Sequence, residues 1–152
     1  MSNILIGQYG KRLIGVQVFL VPLISAFIMV MWDVVMYPIR GNVDKARIWE
    51  EGGTYFGDPI SNFIVWFFVV YVFQQIFAIY IAKFDIRGNE KSFNKPFWTE
   101  AVIIYGIQGL SFVQQGLVEN SNIELYSSMA LVCMFTMIFV CIISIIRYLR
   151  LL

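Results

Sequence analysis

The chain has 152 residues, 59% of them hydrophobic and 14% charged, with a formal net charge of +1 and a mean hydropathy of +0.73. That balance lies outside the range of soluble domains and reads as an integral membrane protein, with neither a basic surface for nucleic acid nor an acidic tail. There is no histidine, so the usual haem ligand, zinc ligand and neutral-pH proton shuttle are missing, and acid–base chemistry must rest on carboxylates, tyrosine or lysine.

A helix needs about 20 apolar residues to cross the hydrocarbon core. Four stretches qualify, at about 13–38, 60–82, 97–118 and 125–146. None alternates with a period of two, which selects helices over a barrel. The expected fold class is an all-α integral membrane protein, four transmembrane helices in a small bundle, forming a single transmembrane domain over 1–152. Lys11 and Arg12 precede the first stretch, which is too long for a cleaved signal peptide and lacks a small-residue cleavage site. Eight basic residues fall at the two ends and in the second connection, against Arg40, Lys45 and Arg47 in the first connection. This bias predicts cytoplasmic termini and an outer first loop. Four helices enclose only a narrow cleft, so a homo-oligomer or a hetero-partner is expected.

The first span closes on "MWDVVMYP", which places Asp33 at membrane depth. An acid there is costly and normally faces a cavity or a partner. It reads either as an interfacial carboxylate paired with a loop cation or as a functional group. The loop that follows, "WEEGGTYFGDP", gathers Trp49, Glu50, Glu51, Tyr55, Phe56 and Asp58 around three glycines within six residues. Such glycines permit positive backbone angles and predict a loop folded back on the bundle. Pro59 is placed to open the second helix, with Asp58 as its cap. An interfacial aromatic belt explains the rings; it does not require the acids to cluster.

Beyond the loop come Asn62, Trp66, and then Gln74 and Gln75 deep in the second span. In the third span Glu100 follows Pro96 and reads as a carboxylate favoured by the helix N-terminus. Farther along, Gln108, Ser111 and Gln115 recur at spacings of three and four and predict one inward-facing polar stripe. Its residues either bond neighbouring helices or line a substrate cleft. Cys133 and Cys141 share the fourth span, about 12 Å apart along a helix, too far to pair with each other. No phosphate loop, nucleophile elbow, paired-histidine site or Cys-x-x-Cys occurs.

"WDVVMYP", a spacer and "WEEGGTYFGDPISNFIVWF" resemble the hallmark region of the membrane carotenoid-biosynthesis proteins typified by bisanhydrobacterioruberin hydratase, in a half-length form. The matching positions are Trp32, Asp33, Pro38, Trp49, Gly52, Gly53, Tyr55, Phe56, Gly57, Pro59, Asn62, Phe63 and Trp66. Tyr37 stands where the family has a second Asp, Asp58 replaces an apolar residue, and Val65 replaces a glycine. The resemblance covers about residues 30–67. It implies addition of water across a carotenoid end-group double bond in a prokaryotic cytoplasmic membrane, with a carotenoid or other polyene lipid as partner and no cofactor or metal. That reaction needs an acid to protonate the alkene, aromatic faces to stabilise the tertiary cation, and a positioned water. Asp33 is the first choice of acid, and Glu50, Glu51 or Asp58 could position the water. Trp32, Tyr37, Trp49, Tyr55 and Phe56 could line the cation, with Asn62, Trp66, Gln108, Ser111 and Gln115 as further substrate contacts. Two other readings stay open: a non-catalytic polyene-binding or partner-assembling module, and a small channel or transporter subunit.

Overall fold

The computed structural model describes residues 1–6, 13–45, 49–50, 52–84 and 95–150, and of 95–98 the backbone alone. Glu51 and the basic residues Lys11, Arg12, Arg47, Arg87 and Lys91 lie outside the described residues. A short helix α1 (Ser2–Ile6) precedes three long helices, α2 (Gln17–Asn42), α3 (Ile60–Phe84) and α4 (Lys95–Val118). A fourth helical rod follows, made of α5 (Ile123–Cys133), a π-helical turn (Met134–Ile138) and α6 (Phe139–Arg150). Four helices are thus long and apolar enough to cross a membrane, and the protein is an all-helical integral membrane protein.

The central helix is α2, which packs on α3 at one side and on α5 at the other, with α1 against its first turns. Inside it stand Pro22 and Pro38. The apolar run predicted an end at Pro38, yet the helix continues to Asn42. Proline has no N–H for the carbonyl four residues earlier, so Pro22 frees the carbonyl of Val18 and Pro38 that of Val34. Both are bonded from outside the helix. Gln75 Nε2 donates to Val18 at 3.1 Å, and the Tyr55 hydroxyl donates to Val34 at 3.0 Å. Asn42 Nδ2 also donates to the Pro38 carbonyl at 3.0 Å and closes the last turn. Tertiary bonds therefore carry the helix through residues that would otherwise end it.

The core lies where α2, α4 and the fourth rod meet, around Val35, Tyr105, Phe112, Met129, Cys133 and Met137. Close approach of α4 to α5 depends on glycine. A Cβ at Gly116 would overlap Ala130, the small-residue contact typical of membrane helices. The Tyr105 hydroxyl crosses to the Ile28 carbonyl of α2 at 2.9 Å. By contrast, α3 buries only Phe63 and Ala78; its remaining apolar surface is the kind that lipid covers. Cys133 and Cys141 are free and buried, and their thiols meet the carbonyls of Gly109 and Val102.

Candidate functional site

Sterics decide the loop between α2 and α3. Tyr55 and Asp58 exchange backbone hydrogen bonds of 3.1 and 2.9 Å across a tight turn. Its central residues, Phe56 and Gly57, have φ of 50° and 89°, the positive pair of a type I′ turn. Glycine suits that geometry, but a bulky residue such as Phe56 rarely adopts it. Behind the turn, Gly53 lies so close that a Cβ there would collide with the Asp58 carbonyl and Pro59 N. The loop is held down on α2 by the Tyr55 bond to Val34 and by Asn42 Nδ2, which donates to the Phe56 carbonyl at 2.6 Å.

This folding buries Asp58, which is 1% exposed. Its Oδ1 accepts the indole N–H of Trp49 at 2.7 Å. Its Oδ2 is buried and has no hydrogen-bond partner among the described residues. The expected capping role at the start of α3 gives way to this tie, because the carboxylate is turned to the indole. The same loop and the helix ends it joins carry rings set edge to face: Tyr55 against Phe56 at 5.2 Å, and Phe63 against both Tyr55 and Tyr37 at 5.6 Å. Burial, and then the charge of Asp58, push the Tyr55 phenol above its usual pKa.

Asp33 is half-buried and stands four residues before Tyr37, so both share a face of α2. Because Tyr55 bonds Val34, the loop rests on the same turn that carries Asp33. The structure thus brings Asp33, Tyr37, Trp49, Tyr55, Phe56 and Asp58 to one end of the α2–α3 pair. Asn62 lies at its edge, half-buried, with Nδ2 unpartnered among the described residues. Glu50 and Trp66 are exposed.

Trp32 turns the other way. Its ring meets Tyr105 of α4 edge to face at 6.3 Å, on the core side of α2. The polar stripe of α4 also stands apart. The inner face of α4 is made by Val102, Tyr105, Gly109 and Phe112, whereas Gln108 and Ser111 are half-buried and Gln115 is exposed. Ser111 and Gln115 line a separate groove of about 270 Å³ with Gln114, Val118 and Glu119. The expected inward-facing stripe is not the packed side of α4: helical spacing relates the three positions, but it could not say that small and aromatic residues would claim that side. Two contributors went unassigned, Phe63 and Asn42. Phe63 was visible in the family-like string "ISNF". Nothing local marks Asn42, whose role depends on the loop returning to it. Among the described residues no group of three or more His, Cys, Asp or Glu is placed to hold a metal ion.

Comparison with known proteins adds one finding: a family profile described as "Carotenoid biosynthesis protein" matches residues 4–135. No curated protein and no solved structure matches the chain.

Proposed function

This chain belongs to the carotenoid biosynthesis protein family, and from that premise we propose that it adds water across an end-group double bond of an acyclic carotenoid. The observation that carries this reading is Asp58: a buried carboxyl, held at one oxygen by Trp49, with the other oxygen unpartnered among the described residues, in a loop whose Tyr55 ring packs against Phe56 and Phe63. A carboxyl with one oxygen anchored and the other unpartnered is suited to deliver a proton in a fixed direction.

In the proposed reaction a proton passes from the Asp58 carboxyl to the less substituted alkene carbon. The π pair forms the new C–H bond and the neighbouring tertiary carbon becomes a cation. The faces of Tyr37, Tyr55, Phe56 and Phe63 stabilise that cation as they would an ammonium group. Asp33 holds the water whose oxygen attacks the cation. The proton that water releases returns through the carboxylate pair to Asp58, so alkene plus water gives a tertiary alcohol with no net change in the protein. Trp49 holds Asp58 in place, and Glu50, at the exposed rim, favours entry of water.

The test is expression in cells that accumulate acyclic carotenoids, followed by chromatography and mass spectrometry of the extract and of pigment bound to purified protein. A product heavier by one water, absent with Asp58→Asn and with Asp33→Asn, is the expected result. Pigment bound but unchanged would replace catalysis with carriage. No bound pigment and no product would defeat the reading.

A further inference from the structure

The polar stripe of α4 is absorbed neither by the core nor by the proposed acid site. Gln108 stands at the middle of the span Thr99–Val118, about 15 Å from its end at about 1.5 Å per residue, and Ser111 stands about 10 Å from that end. Both are half-buried, while Gln114 and Gln115, nearer the end of the helix, are exposed. At about 100° per residue, Gln108, Ser111 and Gln115 lie about 100° round α4 from Val102, Tyr105, Gly109 and Phe112. Those four form the side that packs on the fourth rod and reaches α2 through Tyr105.

Several polar side chains elsewhere in the spans find partners inside the chain. Ser25, Thr136 and Ser144 return their hydroxyls to the carbonyls of Val21, Val132 and Val140 at 2.9, 2.6 and 2.7 Å, and Gln75 bonds Val18. Gln108, Ser111 and Gln115 make no hydrogen bond among the described residues. A primary amide carries two N–H donors and a carbonyl acceptor. Hydrocarbon satisfies none of them, so an amide at mid-membrane normally faces protein or enclosed water. Water needs a wall to enclose it. The groove of about 270 Å³ beside the stripe is lined by Ser111, Gln114, Gln115, Val118 and Glu119, all from α4 or the residue after it, so no other element of the described chain supplies that wall. The cover is another protein helix.

That helix has to present donors and acceptors at the depths of Gln108, Ser111 and Gln115 without a charge, because a charge set against a neutral stripe would be buried unpaired. The α4 helix of a second copy does so. Under a two-fold axis along the membrane normal each stripe residue meets its own counterpart, and two facing amides can each donate an N–H to the other's carbonyl. Glu119 does not oppose this: it is exposed at the end of the stripe, and its carboxylate accepts the Ser121 backbone N–H at 3.2 Å in its own loop. We propose that the Gln108–Ser111–Gln115 face of α4 binds the same face of a second copy of this chain, as a symmetric dimer whose seam is made of amide and hydroxyl pairs.

The test uses the full chain, by equilibrium sedimentation in density-matched detergent and by thiol oxidation in lipid vesicles. Wild type should sediment as a dimer. The combined variant Gln108→Leu, Ser111→Ala, Gln115→Leu, whose side chains suit lipid, should keep its helical content by circular dichroism and raise the dimer dissociation constant at least tenfold. Gln115→Cys and Ser111→Cys should each form a disulfide with their own counterpart on oxidation. Leu110→Cys, exposed on α4 but turned away from the stripe, should not, and neither should wild type, whose two thiols are buried. Oxidation at Leu110→Cys as strong as at Gln115→Cys, or a dimer unweakened in the combined variant, would overturn the proposal by placing the seam elsewhere. A wild type that is monomeric in both settings would overturn it too, and leave the stripe to a partner of another kind. None of these outcomes depends on the reaction at Asp58.

Discussion

The Tyr55 hydroxyl donates at 3.0 Å to the Val34 carbonyl, the same carbonyl that Pro38 leaves without its helical N–H. The loop and the helix break therefore depend on each other. Tyr55→Phe should cost about 1–3 kcal/mol by stranding that acceptor. In a Pro38→Ala background the restored N–H serves Val34, and the same substitution should cost little. A double-mutant cycle of unfolding in detergent reads the coupling directly; equal costs in both backgrounds would show that the hydroxyl does not stand in for the proline.

Trp49 and Asp58 give a second pair of opposed outcomes. Trp49→Phe keeps the ring and removes the donor, which leaves both carboxylate oxygens of a buried acid unpaired. Bonds to charged groups are worth about 1.5–3 kcal/mol, so the variant should unfold earlier and lose activity. Asp58→Asn can still accept the indole N–H through its amide oxygen. It should unfold near the wild-type temperature and yet give no hydrated product. If Asp58→Asn retains turnover, the acid must be sought elsewhere.

At Gly53 the constraint is steric. Any Cβ there meets the Asp58 carbonyl and Pro59 N, which are backbone atoms that cannot rotate away. Gly53→Ala should push the turn off α2 and reduce hydration at least tenfold, while the four-helix bundle remains assembled by circular dichroism and gel filtration. Gly52, whose added Cβ would meet nothing within 4 Å but whose φ is 64°, should suffer backbone strain alone, about 1–2 kcal/mol, and keep more activity than Gly53→Ala.

Alkaline pH should act on the same loop. Tyr55 is pushed above its usual pKa first by burial and then by the charge of Asp58, so the folded state holds its proton more tightly than the unfolded chain. The stability this represents is fully present below the unfolded value of about 10 and is lost as pH rises through the raised folded value. Wild type should therefore lose stability above about pH 10 more steeply than Tyr55→Phe, which has no phenol to ionise at this position. Parallel unfolding curves for the two proteins against pH would remove Tyr55 from the account.

How much of this was legible beforehand depends on range. The four spans follow from runs of apolar residues, and their positions in the sequence match the helices to within about a turn. The glycines at 52, 53 and 57 announced a loop folded back, because their conformational freedom is a local property. Facing was not legible. Trp32 lies next to Asp33 in sequence, yet it stands about 100° round the helix from it and its ring meets Tyr105 of α4, two spans further along the chain. The helix's passage through Pro38 was hidden for the same reason. Hydropathy records that proline breaks the ladder, but the tyrosine that repairs it lies in another element.

The α4–α5 seam allows a last prediction that leaves the site untouched. A Cβ at Gly116 would meet Ala130 Cβ and, at 2.6 Å, the Tyr126 carbonyl oxygen. Both atoms are fixed by the backbone of α5, so relief requires the helices to part. At Gly109 the nearest obstacle is Ile138 Cδ1 at 2.9 Å, the tip of a side chain that can turn aside, with Met137 Cβ at 3.5 Å behind it. Overpacking costs about 1–3 kcal/mol where neighbours cannot move. Gly116→Ala should therefore lower the unfolding temperature clearly more than Gly109→Ala, even though the two glycines lie on one helix and face one partner. None of the residues that a Cβ at Gly116 would meet belongs to the proposed acid site, so the residual folded fraction of Gly116→Ala should hydrate carotenoid at the wild-type rate per folded molecule. Unfolding curves in detergent, paired with product formed per folded protein, check both halves. Equal destabilisation by the two substitutions would mean that the seam yields as a whole rather than at the side chain that has room to move.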